Sequence, residues 1–189
     1  MKNKCVFLDR DGVICVEVNY MSDPSQFKLL PRVVEALYQL KKDKYKLIVV
    51  SNQSGVARGF LTEDIVRDIN NKMLEELTTF GVKLDRVYYC PHHSEGKGIY
   101  KLDCTCRKPK PGMLLQGTSE LNVDLASSYM IGDRKSDIIA GVNTGCKTIL
   151  VLTGYGKEAH AEMQAEKGLK PDYVVDDLFE ASNIILKKR

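Results

Sequence analysis

The sequence lacks a long apolar run, a strong charge of either sign, internal repeats and low-complexity segments. Since a membrane-spanning helix needs roughly 18 consecutive apolar residues, we expect no membrane segment. The net charge of +3 is too small, and the basic residues are too dispersed, to indicate nucleic acid binding. The chain starts without a signal segment, so we expect a cytoplasmic protein whose six cysteines are reduced or bound to metal.

Strand and helix patterns alternate along residues 1–189 and predict a single α/β domain. A hydrophobic content of 43% is enough for an ordinary core. Apolar runs predict strands at 4–8, 46–51, 86–90, 128–131, 148–152 and 173–175. Helical patterns lie at 31–42, 62–80, 111–121, 136–144, 157–167 and 178–187. This alternation is typical of a Rossmann-like three-layer sandwich, in which a central, mainly parallel sheet carries the ligand site at its carboxyl edge.

Polar side chains that can act on phosphate follow three of the predicted strands. They are Asp9 with Asp11 in Asp-Arg-Asp-Gly, Ser51 in Ser-Asn-Gln, and Asp133 with Asp137 in Gly-Asp-Arg-Lys-Ser-Asp. Because parallel strands end at one edge of a sheet, these groups should converge on one crevice. A carboxylate can attack phosphorus, and a second one nearby can bind a divalent ion or transfer a proton. Taken alone, the first motif is also compatible with an Asp-rich turn.

Two close pairs of ligand-type residues, Cys-x-His and Cys-x-Cys, are separated by eleven residues. They are Cys90 with His92, and Cys104 with Cys106. Three thiolates and one imidazole form a closed tetrahedral set that suits structural zinc. The alternative interpretation is a buried strand-end thiol with incidental neighbours. The adjacent His93 should point elsewhere and face the substrate, and the other three cysteines are expected in the core.

The order of these motifs resembles the haloacid dehalogenase (HAD)-like phosphatases over essentially the whole chain. The zinc loop and the Arg-Lys-Pro-Lys-Pro-Gly-Met that follows it are similar to the heptose 1,7-bisphosphate phosphatases of the histidinol-phosphatase group, as is Ser-Asn-Gln-Ser-Gly-Val-Ala-Arg-Gly. The resemblance implies a HAD-type fold with magnesium as cofactor and a zinc-binding loop insertion at 90–106. A chain of this length cannot hold a large cap domain, so loops 14–30, 52–60 and 90–106 should cover the site. Ser51 stands where many relatives have Thr, which retains the hydroxyl.

The resemblance also implies catalytic roles. Asp9 would attack phosphorus and form an aspartyl-phosphate, and Asp11 would protonate the leaving group and then activate water. Magnesium would be bound by Asp9, the backbone carbonyl of Asp11, and Asp133. Asp137 would orient these ligands.

Further residues would hold the substrate. Ser51 and Lys108 would bind the oxygens of the transferring phosphoryl group, where charge spreads in the transition state. The remaining substrate contacts would come from Arg10, Val18, Asn19, Tyr20, Asn52, Gln53, Ser54, Arg107 and Arg134.

The expected activity is therefore a monomeric phosphatase for a phosphorylated sugar. The resemblance implies removal of the C7 phosphate of D-glycero-D-manno-heptose 1,7-bisphosphate, in the biosynthesis of heptose for the lipopolysaccharide core or for nucleotide-activated heptose. Two alternatives stay open. One is a histidinol-phosphate phosphatase, and the other is a zinc-stabilised binding module without catalysis, against which the complete set of catalytic residues argues.

Overall fold

Apolar residues directed to two faces build a six-stranded parallel sheet in the computed structural model, which describes residues 2–166 and 168–187. The strands are β1 (Cys5–Leu8), β2 (Lys46–Asn52), β3 (Arg86–Cys90), β4 (Tyr129–Gly132), β5 (Lys147–Val151) and β6 (Tyr173–Val175). Their order in the sheet is β3-β2-β1-β4-β5-β6, and every neighbouring pair is parallel. Each predicted strand is confirmed to within one residue at either end.

The described residues also form seven α-helices. They are α1 (Val33–Lys42), α2 (Ser54–Arg58), α3 (Glu63–Thr79), α4 (Gly112–Leu121), α5 (Lys135–Thr144), α6 (Gly156–Ala165) and α7 (Leu178–Ile185). The six predicted helices are confirmed to within two residues at each described end, while Lys167, the last residue of the predicted helix 157–167, lies outside the described residues. The short α2 was not predicted, because five residues cannot display a helical period.

The central strand β1 shows how the three layers arise. Val6 and Leu8 join the core cluster formed with α1, α3 and α7, whereas Cys5 and Phe7 join the cluster on the opposite face with α4 and α5. All four residues are fully buried, as expected for a parallel strand that is covered on both sides. Three cysteines outside the zinc loop are buried, which confirms the expectation that they are core residues: Cys5, Cys15 and Cys146.

The strand order places a crevice at the carboxyl ends of β1 and β4. The chain runs from β1 to β2 on one side and later returns to β4 on the other, so the connections leave these two adjacent strands in opposite directions. No separate cap domain forms within 2–166 and 168–187, and the crevice is bordered by loops, by the short α2 and by the first turn of α5. None of the helices in this described part of the chain is long and apolar enough to cross a membrane.

Candidate active site

Three carboxylates and one lysine meet in the crevice. Asp9 follows β1, Asp133 follows β4 and Asp137 lies in the first turn of α5. We call these three residues the acidic cluster. One carboxylate oxygen of each residue lies within 4.8 Å of the corresponding oxygens of the other two. The Nζ atom of Lys108 lies 3.0 Å from Oδ2 of Asp9 and 2.6 Å from Oδ1 of Asp137. All four side chains are buried. The two strand ends therefore converge, as their positions in the sequence predicted, and the basic turn brings Lys108 to them.

The electrostatics of the acidic cluster fit a divalent cation. Burial raises the pKa of Asp9 to about 7 and that of Asp133 to about 8, although Lys108 lowers the former. If all three carboxyls were ionised, the single ammonium of Lys108 would leave two negative charges uncompensated, and this repulsion adds to the effect of burial on the two pKa values. The Oδ1 atom of Asp133 is buried without a hydrogen-bond partner, whereas Oδ2 accepts a 2.8 Å bond from the backbone N–H of Tyr155. A hard, oxygen-preferring ion such as Mg²⁺ would satisfy both the charge and the free oxygen.

Glycine is required where the chain passes closest to Asp133. Gly12 has a φ of 77° and Gly154 a φ of 54°, which are conformations that side chains other than glycine rarely adopt. A Cβ atom at either position would also overlap with Oδ2 of Asp133. Gly12, the glycine of Asp-Arg-Asp-Gly, therefore does more than form a turn, since it leaves room for the carboxylate of Asp133.

Asp11 is held by a different set of donors from Asp9. The guanidinium of Arg10 donates to Oδ1 of Asp11 from Nε at 3.1 Å and to Oδ2 from Nη2 at 2.9 Å, and Gln53 Nε2 donates to Oδ2 at 2.8 Å. Burial opposes ionisation of Asp11, but Arg10 and these hydrogen bonds lower its pKa. Its carboxylate lies outside the acidic cluster. The predicted magnesium contact of Asp11 rests on its backbone carbonyl and stays a prediction.

A cavity of about 390 Å³ opens above Asp9 and Asp11 and brings together ten of the predicted site residues. Those ten are Asp9, Asp11, Asn19, Tyr20, Asn52, Gln53, Ser54, Arg107, Lys108 and Arg134. His93 also lines the cavity, which agrees with the expectation that it faces the substrate. The size and the polar lining of the cavity suit a small phosphorylated molecule.

Three predicted residues lie elsewhere. Arg10 is only 1% exposed and its guanidinium faces Asp11 and Asn70, so the prediction that its side chain contacts substrate is wrong. Val18 does not line the cavity, and its predicted contact with substrate stays a prediction. The hydroxyl of Ser51 is buried and accepts a 2.6 Å hydrogen bond from Gln53, which itself lines the cavity, and the predicted contact of Ser51 with the phosphoryl group stays a prediction.

Sequence reasoning missed cavity residues that stand next to the motifs. Arg58 ends α2, and its Nη2 lies 3.3 Å from Nε2 of His93. Tyr155 stacks against Arg134, whose Cζ lies 3.8 Å from the ring centroid, and Glu17 pairs with the same arginine at 3.6 Å. Arg58 belongs to the Ser-Gly-Val-Ala-Arg-Gly motif, so the motif itself was a signal; nothing in the sequence pointed to Tyr155, which follows β5.

The second set of ligand-type residues forms a compact group, which we call the thiol cluster: Cys90, His92, Cys104 and Cys106. The three sulfur–sulfur distances are 3.1, 3.2 and 3.4 Å, and Nδ1 of His92 lies 3.5 Å from the sulfur of Cys106. No disulfide joins these cysteines. Zn–S bonds of about 2.3 Å correspond to tetrahedral edges of about 3.8 Å, so a small expansion of the cluster accommodates zinc.

One thiol of the cluster, that of Cys104, is biased towards the thiolate form, whereas burial raises the pKa of Cys90 and of Cys106. Burial opposes ionisation of Cys104, but hydrogen bonds from the thiols of Cys106 and Cys90 lower its pKa to about 7. A thiolate is the form that binds metal. The cluster is also connected to the cavity, because Arg107 directly follows Cys106 and donates a 3.3 Å hydrogen bond from Nη1 to the carbonyl of His92.

Comparisons with known proteins agree with this site. Residues 105–181 match the family described as HAD-hydrolase-like. The chain is 44% identical over 189 residues to a Haemophilus influenzae protein named D-glycero-β-D-manno-heptose-1,7-bisphosphate 7-phosphatase, covering 98% of this chain and 100% of the relative. It is 40% identical over 187 residues to the Escherichia coli protein of the same name, covering 97% and 94%.

A solved structure leads to the same group. It is D,D-heptose 1,7-bisphosphate phosphatase from B. bronchiseptica complexed with magnesium and phosphate, which is 31% identical and superposes with a TM-score of 0.86 over 98% of this chain and 99% of that one. The strand-end carboxylates, the lysine and the thiol cluster thus occur in a chain whose whole length aligns with these proteins. The chain belongs to the D-glycero-β-D-manno-heptose-1,7-bisphosphate 7-phosphatase family of HAD-like hydrolases.

Proposed function

We propose that this chain is a Mg²⁺-dependent phosphatase that removes the C7 phosphate of D-glycero-β-D-manno-heptose 1,7-bisphosphate through an aspartyl-phosphate on Asp9. The observation that carries the proposal is the position of Asp9, at the base of the cavity with Lys108 at 3.0 Å and the rest of the acidic cluster behind it. The names of relatives that are 40–44% identical support the substrate and its β anomer.

Two metal ions complete the proposal. Asp9, Asp133 and the backbone carbonyl of Asp11 would hold Mg²⁺, which neutralises charge on the phosphoryl group when it is bound. Zinc would be held by the thiol cluster, which has four ligands and therefore no open position for catalysis. Its function would be to give the loop 90–106 a fixed shape.

In the first step, an oxygen of Asp9 attacks phosphorus in line with the departing C7 oxygen. The new bond is between this oxygen and phosphorus, and the bond between phosphorus and the C7 oxygen breaks. Asp11 gives a proton to the leaving alkoxide, and it has to bind that proton before this step because Arg10 and the hydrogen bonds to its carboxylate lower its pKa. Lys108 stabilises the charge on the transferring oxygens, since its ammonium already lies beside Asp9. Asp137 holds that ammonium in place from 2.6 Å.

In the second step, Asp11 accepts a proton from water, and the water oxygen attacks phosphorus of the aspartyl-phosphate. The bond to Asp9 breaks, so inorganic phosphate leaves and the Asp9 carboxylate is regenerated. Asp11 is suited to both steps because it lines the cavity beside Asp9 while its carboxylate is held outside the acidic cluster.

The cavity wall beyond Asp9 supports binding of the second phosphate. Arg58 and Arg107 converge on His93, and after burial these two arginines are the main reason that the pKa of His93 is lowered. A primary C7 phosphate extends from the sugar ring and can reach Asp9, while the ring lies near Asn19 and Tyr20 with its C1 phosphate against the basic wall. Two arginines beside one phosphate give charge-assisted hydrogen bonds.

Phosphorus NMR of the reaction products tests the assignment directly. With either anomer of heptose 1,7-bisphosphate, the product spectrum should keep the 1-phosphate signal and gain inorganic phosphate, and turnover of the β anomer should be faster. A 7-phosphate signal that survives would contradict the proposed regiochemistry. Histidinol phosphate in the same assay tests the alternative substrate, and a failure to release phosphate from any phosphomonoester would instead favour a binding module.

We predict that Arg107→Ala lowers kcat/KM for heptose bisphosphate by about tenfold to a hundredfold, the usual effect of losing a hydrogen bond to a charged group. Hydrolysis of p-nitrophenyl phosphate should change little, because this substrate has no distal anion. Arg86→Ala is a matched control, since Arg86 pairs with Glu120 on the surface outside the cavity lining. Equal losses on both substrates would contradict the role given to Arg107.

We also infer that residues 1–189 form a single domain that works as a cytoplasmic monomer. Six unpaired cysteines, three of them in the thiol cluster, support a reducing compartment. Light scattering should give a mass near 21.3 kDa, and thermal unfolding should show one cooperative transition. A mass of twice this value or two separate transitions would contradict the inference.

A further inference from the structure

Arg10 is among the largest fully buried side chains, with 1% of its surface exposed. A buried guanidinium is costly unless its charge is paired and its N–H groups are hydrogen-bonded. The partners of Arg10 therefore indicate what its burial achieves. They are Asp11, its neighbour in the chain, and Asn70, which lies sixty residues away on α3.

The guanidinium contacts both oxygens of the Asp11 carboxylate. Nε and Nη2 of Arg10 both lie 3.1 Å from Oδ1 of Asp11, and Nη2 is also 2.9 Å from Oδ2. A planar fork that contacts both oxygens fixes the plane of a carboxylate as well as its position. A lysine could supply the charge but not this orientation.

Asn70 holds the opposite side of the same guanidinium. Its Oδ1 accepts a 3.0 Å hydrogen bond from Nη1 of Arg10, and Asn70 is itself a buried residue of α3. The contact ties the loop after β1 to a helix of 17 residues. The orientation of Asp11 thus depends on a rigid element and not only on the loop that carries it.

We propose that Arg10, anchored by Asn70, is a positioning residue that orients the Asp11 carboxylate for proton transfer to the leaving group. Arg10 does not line the cavity, so it acts through Asp11 and not on the substrate. The inference rests on the phosphatase function proposed above and assigns to the arginine of Asp-Arg-Asp-Gly a function separate from phosphate binding.

Comparing substrates with different leaving groups distinguishes loss of proton transfer from a general effect on folding, which would reduce kcat/KM for both substrates alike. An alkyl phosphate releases a strongly basic alkoxide that needs a proton as the bond breaks, whereas p-nitrophenyl phosphate releases a stable phenolate that does not. The ratio kcat/KM reports the steps up to departure of this group. Loss of Asp11 orientation should therefore reduce kcat/KM for heptose bisphosphate far more than for p-nitrophenyl phosphate.

The variants are Asn70→Ala and Arg10→Lys, with Asn71→Ala as the matched control because Asn71 is exposed on the same helix. For heptose bisphosphate we expect kcat/KM to fall about tenfold in Asn70→Ala and about a hundredfold in Arg10→Lys. For p-nitrophenyl phosphate both losses should stay below about threefold, and the control should match the wild type. Circular dichroism checks that each variant folds. If Arg10→Lys does not fold, the comparison of the two substrates in Asn70→Ala tests the positioning function of Arg10.

A double-mutant cycle separates action through Asp11 from general damage. In an Asp11→Asn background, Asn70→Ala should have no further effect on heptose bisphosphate if the inference is correct. The same tenfold loss in that background, or equal losses on both substrates, would overturn it. Wild-type protein that hydrolyses neither substrate would overturn the proposed function and this inference with it, so the two failures are distinguishable.

Discussion

The acidic cluster and the thiol cluster bring together ligand-type side chains in opposite ways. The acidic cluster joins two strand ends and a helix, its three residues are at most 7% exposed, and Lys108 supplies the one positive charge among them. The thiol cluster joins the end of β3 to a loop, and three of its four residues are partly exposed. The sheet therefore determines the positions of the residues in the acidic cluster. The thiol cluster lies largely on a loop, so we expect its ligands to determine the shape of that loop.

The difference in ligand type explains why only the acidic cluster would leave coordination positions of a bound metal ion free for substrate. Asp9, Asp133 and the backbone carbonyl of Asp11 would leave an octahedral ion with places for water and a phosphate oxygen, and Asp9 faces the cavity. Three thiols and an imidazole complete a tetrahedron and leave no free position. The two clusters are nevertheless linked, because Arg107 and Lys108 directly follow Cys106 in the chain. The shape of the zinc loop therefore influences the position of the active-site lysine.

The largest effect should follow from changing Asp9, the residue of the acidic cluster that lines the cavity. Asp9→Asn should reduce turnover below about a thousandth of the wild type, because an amide cannot form the acyl-phosphate. The fold should stay intact, since the substitution keeps the shape and removes one of three mutually repelling carboxylates. Steady-state phosphate release and circular dichroism are the measurements.

Mass spectrometry of the Asp9→Asn protein is the necessary control, because deamidation would regenerate the acid. Asp11→Asn provides the comparison: it should also impair turnover, but the nucleophile is retained and some phosphorylated enzyme should accumulate. Activity near the wild-type value in an intact Asp9→Asn protein would remove Asp9 as the nucleophile.

A smaller and indirect effect should follow from opening the thiol cluster. Metal analysis should find about one zinc per chain in the wild type and none in the Cys104→Ser, Cys106→Ser double variant. Its kcat/KM should fall roughly tenfold or more, because loop 90–106 no longer positions Arg107 and Lys108. Added Mg²⁺ should not restore the loss.

Cys146→Ser is the matched control, since this buried cysteine belongs to neither ligand cluster. Its zinc content and its response to Mg²⁺ should equal those of the wild type. Full activity in the double variant, or wild-type protein purified without chelators that contains no zinc, would show that the thiol cluster does not support the active site.

The same contrast shows what could be predicted from sequence. Strand periodicity placed Asp9 and Asp133 at the ends of strands, and the close spacing of Cys90 with His92 identified the thiol cluster, because both depend on local order in the chain. That these two strands are neighbours in the sheet was not predicted. Arg10 was misassigned for a physical reason. Its neighbours are phosphate-site residues, but the partner that buries it, Asn70, lies on a helix whose packing the sequence pattern does not specify.

Residues that enter the cavity from a short helix or a turn were also missed. Arg58 lies on a helix too short to show a period, and Tyr155 lies in the turn before α6. Asp137 was placed correctly near the other carboxylates, but its contact with Lys108 depends on the path of the loop that carries the lysine. Long-range contacts of this kind follow from the three-dimensional arrangement of the elements and not from spacing in the chain.

The smallest effect concerns the support of the zinc loop from outside the thiol cluster. Glu63, the first residue of α3, accepts hydrogen bonds from the hydroxyls of Tyr89 at 2.6 Å and Tyr100 at 2.8 Å. Tyr100 belongs to the loop 90–106, so Glu63 connects this loop to a long helix. These hydrogen bonds lower the pKa of Glu63 below its ordinary value of 4.5, and the bond from Tyr89 has the larger effect.

Glu63→Gln should lower the free energy of unfolding by about 1 kcal/mol at pH 7, because two hydrogen bonds to a charged acceptor become bonds to a neutral amide. A carboxyl whose pKa is lowered by folding stabilises the fold above its unfolded pKa, and this stabilisation is lost as the pH falls through the folded pKa. The difference between variant and wild type should therefore shrink below pH 4.5. Thermal unfolding at several pH values measures it, with Glu75→Gln, exposed on the same helix, as the control. A difference that persists unchanged at low pH would mean that the charge of Glu63 contributes nothing to holding the zinc loop.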